Sequence, residues 1–309
     1  MSQRLVLIGG SGFIGQNLIR YLEENNLREK YLTAIYDPSL PQFYQPDLYI
    51  PGKVEEREKI ENVIKEQDII LYLAHTTLPI DSFAAPEREL KENIKPVLKF
   101  LELMKEKAIK GMIYFSSGGT IYGEQKELKP IKEDAPKNPN SFYALGKLMI
   151  EESLKLFGRL NWLNYLIIRP SNPYGPFQEK LNRHGAVAKI FQSLLEDKEF
   201  IIYGQGETVR DYIFIDDLIS GIIFLIEQNI WNNIFNIGTS IPTSLTKLIE
   251  LCEKISNKSL KKIYKPIRQT DLKYNVLDIS RLKNLGWEPK FSLEKGLKET
   301  WKYFLEAQK

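Results

Sequence analysis

The sequence predicts an α/β protein in which a doubly wound parallel sheet is followed by a smaller C-terminal α/β substrate domain. Two observations predict the sheet. Short runs rich in β-branched residues alternate with amphipathic helical stretches through the first half of the chain, as in successive βαβ units. These runs are apolar throughout, which is the pattern of strands that are covered by helices on both faces.

The first half of the chain supplies the elements of this sheet in order. Apolar runs predict strands over residues 4–8, 31–36, 69–74, 111–116 and 164–169. Apolar residues at helical spacing predict helices over residues 13–25, 55–66, 86–107 and 141–157. The elements thus alternate in the way that parallel strands require, because a parallel pair needs a crossover connection.

The pattern becomes irregular after Pro170, where the turn-forming segment 171–176 (SNPYGP) predicts a hinge between domains. We expect a first domain over residues 1–170, which also receives residues 211–240, and a second domain over residues 171–309. The second half is predicted to hold helices over 186–197, 216–228, 245–255 and 293–307, and strands over 199–203 and 211–215. The lysine-rich segment 258–265 is expected to be solvated surface.

Charge and cysteine content exclude several classes of function. The 309 residues include 43 Lys and Arg against 40 Asp and Glu, and a net charge of +3 is too small to favour nucleic acid or a membrane surface as a partner. The single Cys252 cannot form an internal disulfide, and the two histidines, His75 and His184, are too far apart in sequence to predict a metal site. No apolar run reaches the ~18 residues of a membrane span. We expect a soluble, cytoplasmic protein without a bound metal.

A glycine-rich turn separates the first predicted strand from the first helix. Gly9, Gly12 and Gly15 recur at a spacing of three, where a tight turn lets the backbone approach a pyrophosphate and the helix N-terminus offers N–H groups to it. Asp37 follows Gly15 by 22 residues, close to the position of the carboxylate that binds the adenosine ribose in Rossmann-type domains. Because a carboxylate repels a 2′-phosphate, NAD is predicted in preference to NADP; the alternative for Asp37 is a turn residue before Pro38.

A tyrosine and a lysine lie one helical turn apart in the segment Tyr143-Ala-Leu-Gly-Lys147. A free tyrosine titrates near pH ~10, and a nearby cation stabilises its phenolate, so that the pair can act as an acid or base near neutrality. Such a pair is common by chance. Its position after the glycine turn and after the strand end at Ser116-Ser117 makes it a candidate catalytic dyad.

These motifs, in this order, resemble those of the extended short-chain dehydrogenase/reductases, the NAD-dependent nucleotide-sugar epimerase/dehydratase family. The resemblance covers nearly the whole chain. Besides the glycine turn and the dyad, it rests on residues 71–75 (LYLAH), 116–123 (SSGGTIYG), 169–175 (RPSNPYG), 204–212 (GQGETVRDY) and 285–289 (LGWEP).

The resemblance implies an NAD-dependent 4-epimerase of UDP-hexoses, such as UDP-glucose and UDP-galactose or their N-acetyl or uronic relatives. Tyr143 would take the proton of the sugar 4-hydroxyl as the C4 hydride passes to NAD, giving a transient 4-keto sugar, and Lys147 would hold the nicotinamide ribose. The implied NAD contacts come from Gly9, Gly12, Phe13, Ile14, Gly15, Asp37, Val54, Ala74, His75, Asn93, Ser116, Tyr143, Lys147 and Pro170.

The resemblance also implies contacts to the substrate and to a second copy of the chain. Asn172, Arg210 and Arg268 would contact the uridine diphosphate, for which guanidinium groups are well suited, although Arg268 can equally be an ordinary surface arginine. Asn275 falls where related 4-epimerases control access of the sugar 2-substituent, and it is small enough to admit an N-acetyl group. A homodimer built from the helices over 86–107 and 141–157 is expected.

One departure from the family pattern bears on the reaction. Many epimerases have a third serine after the Ser-Ser pair, but Gly118 stands there, so that Thr120 or Ser117 would supply the hydroxyl that shares a proton with Tyr143. The dehydratases of the family carry acidic residues in this segment, and Gly118-Gly119-Thr120 contains none. Removal of a C5 proton needs a base. Dehydration is therefore disfavoured, and epimerisation or reduction of a 4-keto sugar remains.

Overall fold

The computed structural model describes residues 2–125, 127–178, 185–268 and 271–307. His184 lies outside these residues. The described strands are β1 (Gln3–Ile8), β2 (Tyr31–Asp37), β3 (Leu48–Pro51), β4 (Ile69–Tyr72), β5 (Gly111–Phe115), β6 (Tyr165–Pro170), β7 (Asn172–Tyr174), β8 (Glu199–Tyr203), β9 (Val209–Arg210), β10 (Tyr212–Phe214), β11 (Asn233–Ile237), β12 (Thr243–Ser244), β13 (Lys261–Lys265) and β14 (Tyr274–Asn275).

The described α-helices are α1 (Phe13–Glu24), α2 (Arg57–Val63), α3 (Pro86–Arg88), α4 (Lys95–Met104), α5 (Phe142–Arg159), α6 (Ala186–Glu196), α7 (Ile215–Glu227), α8 (Leu245–Ser256), α9 (Ser280–Lys283) and α10 (Leu293–Glu306). A 3-10 turn covers Asp81–Phe83, and a π-helical segment, Glu89–Ile94, joins α3 to α4. No helix in the described parts of the chain is both long and apolar enough to cross a membrane.

The predicted doubly wound parallel sheet is confirmed. Seven strands form one sheet in the order β11-β6-β5-β4-β1-β2-β3. The central strand β1 pairs in parallel with β2 on one side and with β4 on the other. The chain first forms β2 and β3 on one side of β1 and then forms β4, β5, β6 and β11 on the other side. The strand order therefore reverses between β1 and β4. Ligands of doubly wound sheets bind outside the carboxyl ends of the strands at this point.

The strands that were predicted from apolar runs lie in the core, where both faces of the sheet are buried. Leu5, Val6 and Leu7 of β1 are fully buried, as are Ile69 and Ile70 of β4. Helix side chains such as those of α4 complete one layer of this core. At ~25 cal/mol per Å² of apolar area removed from water, this burial is the main term that stabilises the sheet.

The sequence did not predict every strand. The edge strand β3 carries two half-exposed residues between exposed ends, and so it lacked the apolar run by which the other strands were predicted. The lysine-rich segment is largely exposed as expected, yet Lys261–Lys265 forms β13, which pairs in parallel with β8. A strand at the surface needs hydrogen bonds to a neighbour more than it needs apolar side chains.

The chain divides into two compact units that interleave along the sequence. The first consists of Met1–Ile121, Pro139–Arg169 and Ile223–Phe235, and the second of Tyr122–Asn138, Pro170–Ile222 and Asn236–Lys309. The domain limits drawn from the sequence, 1–170 and 171–309, stay a prediction. Within the second unit, short sheets pair β7 with β10, β9 with β12 and β14, and β8 with β13.

Candidate active site

The glycine turn lies at the carboxyl ends of β1 and β4. Gly9 has a φ of +79°, and a Cβ at this residue would lie 2.7 Å from the Cα and the N of Ala74. The N–H groups of Leu73 and Ala74 donate to the carbonyl oxygen of Ile8 at 2.8 and 3.0 Å, so the chain that leaves β4 passes directly over Gly9. Glycine is therefore required at position 9 by the backbone and by its neighbour.

Gly12 differs from Gly9, because the described residues around it leave room for a side chain. A Cβ on Gly12 would meet the carbonyl oxygen of Gly9 at 3.5 Å, an ordinary contact. Gly12 precedes α1, whose N-terminus has no side-chain cap and no acidic residue in its first turn, so the N–H groups of Phe13 and Ile14 are available to an anion. This open, positively polarised turn fits a pyrophosphate.

Gly15 and Asp37 fix the shape of this turn. A Cβ on Gly15 would lie 2.2 Å from the carbonyl oxygen of Gly10, so α1 packs onto the loop before it. Asp37 ends β2 and is buried, and its carboxylate accepts hydrogen bonds from the N–H groups of Ser11 at 3.0 Å and Ser39 at 2.8 Å. A carboxylate can accept about four hydrogen bonds, so lone pairs remain for the two ribose hydroxyls.

The segment that holds Val54 lies beside the end of β2. Gly52 donates from its N–H to the carbonyl oxygen of Asp37 at 3.3 Å, and the phenol of Tyr36 donates to the carbonyl oxygen of Lys53 at 2.9 Å. Val54 itself is half-buried against the apolar core. The structure thus brings Val54 to the same strand end as Asp37.

The first turn of α5 carries Tyr143. Ser141 caps this helix by accepting a hydrogen bond from the N–H of Ala144 at 3.2 Å, which fixes the helix start at Phe142. Tyr143 therefore stands near the positive end of the helix dipole, which favours a phenolate. Lys147 follows one turn later, with its Nζ 5.7 Å from the centre of the Tyr143 ring.

Lys147 is buried against the end of β5. Its Nζ donates to the carbonyl oxygen of Phe115 at 2.7 Å and lies 5.0 Å from the centre of the Tyr114 ring. Burial lowers the pKa of Lys147 to about 7, against the opposing effect of the carboxylates of Glu89 and Glu151. The dyad thus combines a phenol at a helix N-terminus with an ammonium whose charge is easily lost.

A buried polar cluster, composed of His75, Thr77, Glu89 and Asn93, lies beside the dyad. Oε1 of Glu89 is 3.3 Å from Nε2 of His75, and the other oxygen accepts hydrogen bonds from the Thr77 hydroxyl and, at 3.2 Å, from Nδ2 of Asn93. Glu89 and Asn93 lie one turn apart in the π-helical segment, a rare element that is frequent at functional sites.

This cluster contacts both members of the dyad. The His75 ring packs nearly perpendicular to the Tyr143 ring, with an interplanar angle of 82° and 4.8 Å between ring centres. Burial alone would raise the pKa of Glu89, but the nearby imidazole of His75, the hydrogen bond from Thr77 and the charge of Lys147 outweigh it and lower that pKa. Glu89 is therefore a buried anion next to the candidate catalytic pair.

The loop after β5 supplies the predicted hydroxyl groups. Ser116 is buried, and no hydrogen-bond partner is found for its Oγ among the described residues. The hydroxyl of Thr120 donates to Oγ of Ser117 at 2.9 Å, so these two alternatives for the proton-sharing group are hydrogen-bonded to each other. Residues 116–121 contain no carboxylate.

Apart from Thr120, the predicted substrate residues lie in the second unit. Asn172, at the start of β7, donates from its backbone N–H and from Nδ2 to the carbonyl oxygen of Asp211, at 3.0 and 2.9 Å. Asp211 is itself buried and accepts hydrogen bonds from the N–H and the hydroxyl of Thr239. Burial raises the pKa of Asp211, an effect that these hydrogen bonds oppose.

Arg210 and Asn275 are register partners on β9 and β14, and Asn275 is fully buried. Burial lowers the pKa of Arg210, whose guanidinium donates to the carbonyl oxygen of Val209 at 2.8 Å. The guanidinium of Arg268 already forms a two-bond fork with Asp271, at 2.9 and 2.6 Å. It also stacks 4.1 Å from the centre of the Tyr203 ring.

Two functional features were not predicted from the sequence. Glu89 gives no sequence signal that separates it from the exposed Glu87 and the half-exposed Glu92 on the same stretch. The buried ion pair between Glu151 and Arg169 likewise depends on contacts that span 18 residues. Pro170, predicted to contact NAD, ends β6.

The chain matches the model of the "NAD dependent epimerase/dehydratase family" over residues 5–238. It is 30% identical over 302 residues to the dTDP-4-dehydro-6-deoxyglucose reductase of Escherichia coli, with 95% of each chain covered.

Two solved structures resemble this fold closely. The structure of the UDP-glucose 4-epimerase of Thermotoga maritima with UDP-glucose is 33% identical, with a TM-score of 0.91 over 99% of this chain and 100% of that one. The structure of the UDP-N-acetylglucosamine 4-epimerase of Methanobrevibacter ruminantium with UDP-N-acetylmuramic acid is 28% identical, with a TM-score of 0.89 over 99% of both chains.

The family match covers about three quarters of the sequence, including the glycine turn, Asp37, the dyad and the start of the second unit. NAD is the cofactor of this family, and the open turn at Gly12 and the carboxylate of Asp37 fit its pyrophosphate and its adenosine ribose. The chain belongs to the NAD dependent epimerase/dehydratase family.

Proposed function

We propose that this chain is a nucleotide-sugar 4-epimerase that acts on UDP-hexoses through a transient 4-keto sugar. The two structural relatives at TM-scores of 0.91 and 0.89 are 4-epimerases of UDP-glucose and of UDP-N-acetylglucosamine. Both sugars are therefore candidate substrates, together with their C4 epimers and the uronic relatives.

The observation that carries the proposal is the content of the loop after β5. It presents two hydrogen-bonded hydroxyl groups, Thr120 and Ser117, and no carboxylate between residues 116 and 121. Oxidation and reduction at C4 need a group that exchanges one proton with the 4-oxygen, which Tyr143 and a hydroxyl can do. Dehydration needs in addition a base for the C5 proton, and this loop supplies none.

The residues of the first unit have distinct tasks in this reaction. Bound NAD supplies the hydride acceptor and donor for C4. Tyr143, as phenolate, takes the proton of the 4-hydroxyl. It later returns this proton to the 4-oxygen, when the opposite face of the keto sugar is reduced. The ammonium of Lys147 stabilises the phenolate and binds the nicotinamide ribose. The Thr120–Ser117 pair donates to the 4-oxygen and orients it toward Tyr143.

We propose that the second unit binds the nucleotide part of the substrate. Arg210 is half-buried and keeps donors beyond its bond to Val209 for phosphate oxygens. Arg268 would give up its two hydrogen bonds to Asp271 and bind a diphosphate oxygen instead, because both acceptors are anionic. Asn172 would present its side chain to the sugar or phosphate, and Asn275 would shape the pocket for the 2-substituent.

The 30% identity to a dTDP-4-dehydro-6-deoxyglucose reductase favours a second candidate, reduction of a nucleotide 4-keto sugar. Such an enzyme uses the same dyad but consumes one NAD(P)H for each product. Asp37 argues against it where NADPH is the reductant, because its carboxylate would repel the 2′-phosphate.

We also propose that the protein is a homodimer. On α5, Leu145, Met149 and Leu156 are exposed and recur at helical spacing along one stripe, and Leu90 of the π-helical segment is exposed as well. An apolar stripe on a helix is stabilised when a second copy covers it. Light scattering should give twice the mass of the chain, and Leu145→Glu with Met149→Glu should give the monomer; a monomeric wild-type protein contradicts this assignment.

The reaction is tested by incubating the protein with UDP-glucose and with UDP-N-acetylglucosamine in the presence of catalytic NAD and no reductant. The proposal expects the C4 epimer of at least one of them. Tyr143→Phe should reduce the rate by about 10²–10⁴-fold, the usual contribution of a general acid–base group. If turnover appears only with a 4-keto sugar and a stoichiometric reductant, the protein is a reductase.

A further inference from the structure

Glu89 and His75 form a buried pair whose polar atoms lie close together. The side chain of Glu89 is 3% exposed and that of His75 is 9% exposed, and Nε2 of His75 lies 3.3 Å from Oε1 of Glu89. A buried carboxylate destabilises the folded protein unless it is compensated. Around Glu89 the compensation comes from Thr77 and Asn93, which donate to Oε2, and from His75, whose Nε2 lies 3.3 Å from Oε1.

These contacts set the tautomer of His75. The hydroxyl of Thr77 has one proton, which it donates to Oε2 of Glu89, and Thr77 also accepts from Nδ2 of Asn93 at 3.1 Å. Thr77 Oγ1 can therefore only accept at Nε2 of His75, 3.1 Å away. Oγ1 of Thr77 and Oε1 of Glu89 lie 3.1 and 3.3 Å from Nε2, and both are acceptors, so Nε2 carries a proton.

The carboxylate of Glu89 also packs against α5, the helix that carries the dyad. Gly146 lies between Tyr143 and Lys147, and a Cβ at this position would come within 2.4 Å of Oε1 and 2.6 Å of Cγ of Glu89. The glycine therefore lets Glu89 reach the backbone of α5 between the two catalytic side chains. The other face of the cluster is the His75 ring, which packs at 4.8 Å against the Tyr143 ring.

We propose that Glu89 and His75 are positioning residues for Tyr143: the carboxylate of Glu89 fixes the Nε2–H form and the orientation of the His75 ring, and this ring fixes the phenol of Tyr143. The inference rests on the proposed function in that Tyr143 is taken as the acid–base group. Neither side chain is assigned a proton or hydride transfer.

The charges around Tyr143 give this arrangement a second consequence. Titratable groups from several elements lie around the dyad: Nζ of Lys147 on α5 is 5.7 Å from the centre of the Tyr143 ring, His75 at the end of β4 packs against this ring, and Tyr114 on β5 interacts with it electrostatically. The carboxylates of Glu89 and Glu151 act on Lys147. Glu89 favours the charged forms of both His75 and Lys147, and two cations favour a phenolate. His75 therefore assists Lys147 in setting the pH at which Tyr143 loses its proton.

The first test reads His75 directly in the NAD-free full-length protein. The chain has only two histidines, so ¹⁵N imidazole NMR with a His184→Gln variant assigns the His75 signals. We expect the neutral ring to be the Nε2–H tautomer, and Glu89→Gln to lower the pH midpoint of His75 by about one unit or more. Glu92→Gln, which changes a half-exposed carboxylate three residues away that pairs with Arg88, should leave the midpoint unchanged.

The second test reads Tyr143 through the pH dependence of epimerisation. Replacing His75 by Gln keeps a polar side chain but removes the ring and its charge. We expect the half-maximal point of the acidic limb of kcat to move to higher pH by about half a unit or more, with KM for the UDP-sugar changed less than about twofold. A purely structural loss would scale kcat equally at every pH.

The two tests distinguish failure of this inference from failure of the proposed function. An Nδ1–H tautomer in the wild type, or a His75 midpoint that responds equally to Glu89→Gln and Glu92→Gln, overturns the proposal whether or not the protein is an epimerase. An unchanged pH profile in active His75→Gln removes the role toward Tyr143. If the wild type turns over no UDP-sugar, the proposed function fails, and the NMR result still decides whether the Glu89–His75 pair exists.

Discussion

Glu151 and Arg169 form a wholly buried ion pair that joins the dyad helix to the central sheet. Nε of Arg169 donates to Oε1 at 2.9 Å and Nη2 donates to Oε2 at 2.6 Å, with both side chains 0% exposed. Glu151 lies one turn beyond Lys147 on α5, and Arg169 lies near the end of β6. The pair therefore fixes the distance between the helix that carries the dyad and the strands whose ends form the cofactor site.

Removing one charge of this pair should destabilise the protein strongly. Glu151→Gln leaves Arg169 buried without a counter-charge, which costs about 3–5 kcal/mol of unfolding free energy. Glu152→Gln, on the exposed side of the same helix, should change it by less than about 0.5 kcal/mol. Urea denaturation of both variants measures the difference, and the double variant Glu151→Leu, Arg169→Met should recover most of the loss. Equal midpoints for the two single variants would refute the role assigned to the pair.

Gly9 and Gly12 provide a matched comparison between glycines needed for the fold and for the cofactor. Gly9→Ala places a Cβ 2.7 Å from the backbone of Ala74 at a positive φ, and should destabilise the protein by about 1–3 kcal/mol or more. Gly12→Ala meets nothing closer than 3.5 Å, and should leave the melting temperature of the NAD-free protein unchanged while lowering the affinity for NAD by about a hundredfold. Calorimetry measures both quantities. A Gly12→Ala protein that binds NAD normally would show that no pyrophosphate occupies this turn.

Asp37 should decide which dinucleotide binds. Asp37→Asn removes the charge that repels a 2′-phosphate, so we expect the ratio of NADP affinity to NAD affinity to rise by about tenfold or more. Asp47→Asn is the control, because Asp47 accepts a hydrogen bond from the N–H of Thr33 at 2.7 Å but lies outside the cofactor turn. Titration followed by protein fluorescence gives both affinities. An unchanged ratio in Asp37→Asn would assign this carboxylate to loop structure alone.

The burial of Lys147 makes stability depend on pH in a defined direction. Its pKa is about 7 in the folded protein, well below the ~10.4 of an unfolded lysine. Between these values the unfolded chain binds more protons than the folded one, so the free energy of unfolding contributed by this group rises with pH. Denaturation of the NAD-free protein between about pH 7 and pH 10 should show this rise, and Lys147→Met should show a smaller one. Equal slopes would contradict the effect of burial.

The sequence predicted what depends on local pattern and on spacing. The apolar runs of β1 and β4 and the helical spacing of α5 located the sheet and the dyad, because burial on both faces leaves a continuous signal. The family fingerprint and its spacing to Asp37 predicted the cofactor. Each of these features depends on residues that are consecutive or regularly spaced in the sequence, so it can be predicted without knowledge of contacts between distant segments.

What the sequence did not predict depends on contacts between distant segments. Glu89 looks like its exposed neighbours in the chain, and only the fold shows that it is buried opposite Gly146. The half-exposed β3 forms because β2 offers it hydrogen bonds. The sequence could likewise not tell that Thr120 and Ser117 are hydrogen-bonded partners instead of alternatives.

The most direct test of the proposed function is proton NMR of UDP-glucose and of UDP-N-acetylglucosamine with the wild-type protein in D₂O, without a reductant. The account predicts galacto-type signals with no deuterium in the sugar ring, because the same hydride returns to C4. Deuterium at C5 or a new methyl signal would contradict it, since either requires the base that residues 116–121 lack.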